Sequence, residues 1–264
     1  MRQRYIQSFA TSGDVQTALE EQALGKPYVA YLEDAEKIDW NTLTPTPPGP
    51  DYSQMPLTFE ILGAGDISWT FSIPGGSKTI EYSLNGGPWT SINSNPGVQI
   101  GVDNGDIIQF RGDNATYADS YRTGPDTWAW DAGGCFGDSY VPMNVKGNIM
   151  SLIDSTNFSG LTSFSAGTKY NFINFLYGCD IRDASNLVLP VATLTEGCYK
   201  HMFVGNNNLN YVKCLATDIS ATDCTDGWLG YTSGTGTFVK HPNTTWPTGD
   251  SGIPNGWTVI DADL

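Results

Sequence analysis

With 264 residues the chain is long enough to build a core without disulfides or metals. Thirty Gly, 15 Pro and 12% aromatics beside only 16% charged residues exclude a helical bundle and point to strands joined by tight turns, so the expected fold class is mostly β. Thirteen Lys+Arg against 28 Asp+Glu leave a formal net charge of −15, which repels phosphate backbones and anionic lipid, so neither nucleic acid nor membrane insertion is expected.

The N-terminal stretch MRQRYIQSFATSGD has a basic start but no apolar run of the kind an export signal needs. Arg4 to Phe9 reads as a short strand, and Ser12-Gly13-Asp14 then caps a helix over Val15 to Leu24 whose apolar face is Val15, Ala18, Leu19 and Ala23. Tyr28–Leu32, a turn at 33–36 and Lys37–Trp40 read as a hairpin. Residues 1–42 thus form a small α+β cassette, too small to be secure alone. Its candidate interface residues are Tyr5, Ile6, Phe9, Val15, Leu19, Tyr28, Tyr31 and Trp40. Two outcomes are open for it: docking onto a partner or sister chains, or a mini-core closed on itself.

Pro45, Pro47, Pro48, Pro50 and Pro56 make 43–56 a semi-rigid spacer. From Leu57 the pattern is β: LTFEIL, ISWTFSI, KTIEYSLNGGPWTSI and VQIGVDNGDIIQFRG, with hairpin turns expected at Asn85-Gly86-Gly87 and Asn104-Gly105. These strands predict an Ig-like β-sandwich over 57–147. A long aromatic and Gly-rich loop, TYADSYRTGPDTWAWDAGGCFGDSY, interrupts it. Tyr117, Tyr121, Trp128 and Trp130 on that loop suit stacking on sugar rings, packing onto their own domain, or packing between subunits.

Beyond Gly147 the chain repeats itself. Phe175–Gly178 recurs as Met202–Gly205 at an offset of 27, and Leu189–Cys198 as Leu215–Cys224 at an offset of 26. That period predicts a short leucine-rich-repeat-like solenoid over 148–264, closed by a cap rich in Trp and Pro.

The segments NLVLPVATLTEGCYKHMF, NYVKCLATDIS and the ending GTFVK…W…GIPNGWTV resemble BspA-type leucine-rich-repeat proteins, over about 145–264. The opening RYIQSFATSGDVQTALEEQALGKPYVAYLEDAEKIDWN resembles the N-terminal segment of structural proteins of crAss-like and related Bacteroides phages. The second resemblance implies a virion protein assembled in the host cytoplasm, with residues 1–42 on the capsid or another virion component and the distal modules projecting as a head fibre or similar appendage. It also implies self-association, a homotrimer being usual for such fibres.

Chemistry is sparse by comparison. His201 and His241 have no metal-ligand companions at useful spacing, and no GxSxG, HExxH or P-loop occurs. Asp103, Asp106 and Asp113 cluster near strand ends, but DNGD is turn chemistry first, and Arg111-Gly112-Asp113 reads as a strand end. The five cysteines are expected to be small buried thiols. The chain is therefore read as non-enzymatic, without cofactor or metal. The alternatives are a carbohydrate-binding adhesin of a gut bacterial surface and, more weakly, a capsule depolymerase needing two facing carboxylates.

Overall fold

The computed structural model describes residues 50–70, 77–117, 135–137 and 139–263, together with the backbone of 5–9 and 28–32. The protein is mostly β, and among the described residues no helix is long and apolar enough to cross a membrane. The chain divides into two compact units, Met1–Asp51 and Tyr52–Leu264.

In the first unit β1 (Tyr5–Phe9) pairs in parallel with β2 (Tyr28–Leu32), Tyr5 opposite Tyr28 and Phe9 opposite Leu32. The described partner of Tyr28–Leu32 is thus β1 rather than the hairpin strand expected at 37–40. Parallel pairing needs a connection of about a dozen residues or more, and the separation of β1 from β2 along the sequence allows it. The helix expected over 15–24 and the strand expected at 37–40 lie outside the described residues.

The second unit begins with strands whose side chains alternate between core and solvent. β3 (Leu57–Ile61), β5 (Thr79–Leu84), β6 (Thr90–Asn93), β8 (Ile107–Gly112) and β9 (Pro142–Asn148) join β10 (Asp180–Asp183) in one sheet of order β10-β9-β3-β8-β5-β6. In β8 the alternation puts Ile108 and Phe110 inside, and in β9 Met143 and Val145. β4 (Gly65–Trp69) and β7 (Val98–Val102) form a separate antiparallel pair that buries Ile67, Trp69, Ile100 and Val102.

The turn at Asn85-Gly86 joins β5 to its antiparallel neighbour β6, both residues with positive φ (52° and 70°), as that turn chemistry demands. Asn104-Gly105 does not make a hairpin. β7 pairs with β4, β8 pairs with β3 and β5, and the turn hands the chain from one sheet to the other.

One hydrophobic core runs from Leu57 to Trp257, so the boundary expected after residue 147 falls inside it. β9 is the hinge of that continuity: antiparallel to β3 on one edge, it is parallel to β10 and to β11 (Leu187–Val188) on the other. Phe136 is fully buried and its ring centroid lies 5.0 Å from Phe59, 4.4 Å from Phe110, 4.9 Å from Trp69 and 5.3 Å from Phe175. A single phenylalanine therefore joins both sheets to the C-terminal half. The end of the expected spacer is also built in. Asn148 donates its backbone N–H to the Met55 carbonyl (2.8 Å) and its side-chain amide to that of Ser53 (3.1 Å). Gly147 (φ 83°) is required beneath them, because a Cβ there would lie 2.1 Å from the Pro56 oxygen.

From residue 170 the backbone runs in successive turns that hydrogen-bond to the next coil. The N–H groups of Tyr170, Phe172, Asn174, Leu176 and Gly178 donate to the carbonyls of Glu196, Cys198, Lys200, Met202 and Val204. Those of Gly197, Tyr199, His201, Phe203 and Gly205 donate in the same way to Thr222, Cys224, Asp226, Trp228 and Gly230. Intervening N–H groups, such as those of Ile173, Phe175 and Tyr177, bond three residues back within their own coil, so buried donors are satisfied alternately across and along the stack. Inside, Phe172, Tyr199, Trp228 and Trp246 stack ring over ring, with centroids 6.4, 6.4 and 5.4 Å apart. β12 (Tyr211–Cys214), β13 (Gly236–Lys240) and β14 (Trp257–Asp261) form a parallel sheet along the same stack. All five cysteines are buried thiols, and burial pushes the Cys214 thiol up to about 12.

Candidate functional site

The coil stack imposes a left-handed backbone at every fourth residue. Positive φ occurs at Tyr170, Asn174 and Gly178 in one coil, at Gly197, His201 and Gly205 in the next, and at Asp223, Gly227 and Tyr231 in the third. Three columns result: Tyr170–Gly197–Asp223, Asn174–His201–Gly227 and Gly178–Gly205–Tyr231. Within them a large side chain lies over a glycine of the following coil. A Cβ on Gly197 would sit 2.0 Å from Tyr170 Cδ1, and one on Gly227 2.5 Å from His201 Cδ2.

A polar network spans the first two columns. Lys200 is buried, and its ammonium bonds Asp223 at 2.9 Å and Asp226 at 2.8 Å. Asp226 also accepts the Ser251 hydroxyl (3.0 Å). One coil earlier, Glu196 accepts the Tyr170 hydroxyl at 2.8 Å and pairs with Lys169 at 2.6 Å. Hydrogen bonds from Lys169 and Tyr170 hold the Glu196 carboxyl below its ordinary value. Burial raises Asp226, but bonds from Lys200 and Ser251 outweigh it and the carboxyl ends low. Donors and acceptors here are used on one another, so the network fixes coil to coil and leaves little for a ligand.

His201 is held below its ordinary value by burial and by Lys200, against the opposing pull of Asp226 and Asp223. Below about pH 6.5 the unfolded histidine therefore takes a proton that the folded one refuses, and stability is expected to fall as pH drops from there toward the folded value. His201→Asn should flatten that part of the urea-midpoint profile. A second loss, below about pH 4, should persist in the variant. It comes from carboxyls held low when folded: Asp154, at about 2 through the backbone N–H groups of Asn157 and Thr156, and Asp218, through Ser220.

The third column ends differently. Gly178 and Gly205 are followed by Tyr231, 82% exposed, at the rim of a groove of about 210 Å³ that Ser233, Asp250 and Asn255 also line. Three polar side chains stand uncommitted around this one groove, since Tyr231, Asp250 and Asn255 make no side-chain hydrogen bond to any described residue.

Of the residues singled out from sequence, Tyr5, Ile6, Phe9, Tyr28 and Tyr31 lie on β1 and β2, which bring Tyr5 and Tyr28 to one register position. Val15, Leu19 and Trp40 lie outside the described residues, as do Tyr121, Trp128 and Trp130. Tyr117 is corrected: it is 1% exposed, stacks on Phe172 (5.4 Å) and donates its hydroxyl to the Leu152 carbonyl, so it is a core residue and meets no glycan. Asp106 accepts the Asp103 N–H and the Asn85 amide (2.8 Å each), Asp113 accepts the Ser155 N–H, and Arg111 lies against Glu81 and over the Trp89 ring at 4.1 Å. These groups hold turns and strand ends. Lys200, its two aspartates and Tyr231 went unnoticed in the sequence. The signal was present, because offsets of 27 and 26 align Gly178, Gly205 and Tyr231.

No family model, no curated protein and no solved structure matches this chain.

Proposed function

We propose that this chain is a non-enzymatic structural protein of a phage particle, a head fibre or similar appendage in which residues 1–42 attach to the capsid or another virion component. The 52–264 body is then the displayed part, 57–147 an Ig-like sandwich and 148–264 a short leucine-rich-repeat-like solenoid, assembling as a homotrimer. The observation that carries this reading is the division at Asp51/Tyr52, which falls within the proline-rich spacer and leaves the larger unit with its own continuous core. A body whose described residues share one continuous core suits a displayed module, and the separate first unit suits attachment. The acidity of the chain, −15 overall, suits proteins crowded on a particle surface. Deleting residues 1–42 tests the reading: the shortened chain is expected to fold but to stay out of particles, and unimpaired incorporation would contradict it.

A second reading, a carbohydrate-binding adhesin, is favoured by one observation, the exposed Tyr231 beside an uncommitted carboxylate and amide.

A further inference from the structure

Tyr231 is a bulky residue in a backbone conformation that costs a side chain about 1–2 kcal/mol. Its φ is 55°, and at the same place in the two preceding coils the chain uses Gly178 and Gly205, with φ 66° and 82°. Folding gives no return for the substitution, because the ring is 82% exposed and buries almost nothing. The absence of a following coil explains why a side chain fits there but not why an aromatic one stands there. A conformational cost held at an exposed position points to a role outside folding.

The surroundings of the ring indicate what that role is. The groove beside it, about 210 Å³, is smaller than the roughly 300–1,000 Å³ of drug-sized ligand sites, so it takes one ring rather than a chain or a protein surface. Two buried indoles hold the segments that line it. Trp257 Nε1 donates to the carbonyl of the lining residue Ser233 (2.8 Å), and Trp228 Nε1 donates to the Gly252 carbonyl (2.8 Å), in the segment between the lining residues Asp250 and Pro254. A groove so tethered is formed before a ligand arrives, which lowers the ordering cost of binding. Among the lining residues, Asp250 and Asn255 present acceptors, and an amide donor, that no described residue uses.

We propose that the groove between Tyr231 and the Asp250/Asn255 rim is a binding subsite for one ring of a neutral glycan. The apolar C–H face of a pyranose lies on the tyrosine ring, as planar side chains favour, while its hydroxyls donate to the Asp250 carboxylate and exchange hydrogen bonds with the Asn255 amide. Neutrality follows from charge: a uronate, sulfate or phosphate group would meet Asp250 and the field of a chain carrying −15. A single shallow subsite binds weakly, and many copies on one surface would multiply it. In that respect the inference rests on the display reading, although the site itself is a property of the free chain.

The test uses full-length protein in solution against immobilised neutral hexose and N-acetylhexosamine tetrasaccharides, with a polyuronate tetrasaccharide as the anionic control. The wild type is expected to retain at least one neutral tetrasaccharide and not the polyuronate. Tyr231→Gly should weaken that binding by about ten-fold or more, equivalent to ~1.4 kcal/mol, while its Tm stays at or above the wild-type value, because glycine suits the left-handed backbone. Tyr231→Trp should restore binding and Asp250→Asn should weaken it. The proposal is overturned if no neutral tetrasaccharide is retained, if Tyr231→Gly binds as the wild type does, or if only the polyuronate binds. None of these outcomes depends on incorporation into particles, so failure here leaves the anchoring role standing, and failure of the deletion experiment leaves the subsite standing.

Discussion

Trp228→Ala is expected to lower the unfolding free energy by about 3–5 kcal/mol. The indole is fully buried, stacked between Tyr199 (6.4 Å) and Trp246 (5.4 Å), and its N–H is the donor to the Gly252 carbonyl. Removing it opens a cavity in the ring ladder and leaves a buried carbonyl without that partner, and both effects point the same way. For a body of this size the change corresponds to a Tm roughly 6–20 °C lower, read by thermal melts at constant protein concentration. Trp89→Ala provides the contrast. That ring is partly exposed beneath Arg111, and its cation–π contact is worth about 0.5–1 kcal/mol, so its Tm should move little. Equal effects from the two tryptophans would mean that the ladder does not hold the coils together.

Gly197→Ala is expected to cost roughly 2–4 kcal/mol, more than an ordinary glycine replacement. Two independent terms contribute. The residue has φ 61°, which carries its own penalty for alanine, and the new methyl would lie 2.0 Å from Tyr170 Cδ1 in a ring held by Glu196. Only the second term depends on the tyrosine. In the double variant Tyr170→Ala/Gly197→Ala the clash disappears, leaving about 1–2 kcal/mol from the backbone. Urea unfolding of the wild type, both single variants and the double variant separates the terms. Simple additivity of the two single changes would show that the columns are not in contact.

The pattern of these columns explains why some features were legible in the sequence and others were not. Strands announce themselves by alternation, and Leu57–Ile61, Thr79–Leu84 and Ile107–Gly112 stand where alternation places them. Turn dipeptides are local signals. They predict a reversal at both Asn85-Gly86 and Asn104-Gly105, but not which edge the next strand meets, and only the first closes a hairpin. An aromatic in a polar stretch is equally ambiguous: Tyr117 reads as a sugar platform, a subunit contact or a packing residue, and its burial, with the hydroxyl on the Leu152 carbonyl, selects the last.

The candidate site was the least visible part, because what builds it is a backbone conformation and not a residue type. Asn174, His201 and Asp223 belong to types that tolerate the left-handed region, whereas Tyr170 and Tyr231 do not advertise it at all. Only the offsets between coils, applied to single residues and not to apolar segments, would have placed Tyr231 in a column of glycines.

Whether the first unit is sufficient for attachment can be measured directly. Residues 1–51 fused to an unrelated monomeric fluorescent protein and supplied during infection are expected, like the full chain, to sediment with assembled particles. A fusion that stays in the soluble fraction while the full chain is incorporated would contradict the anchoring role of the first unit, and would move the attachment function to the body that begins at Tyr52.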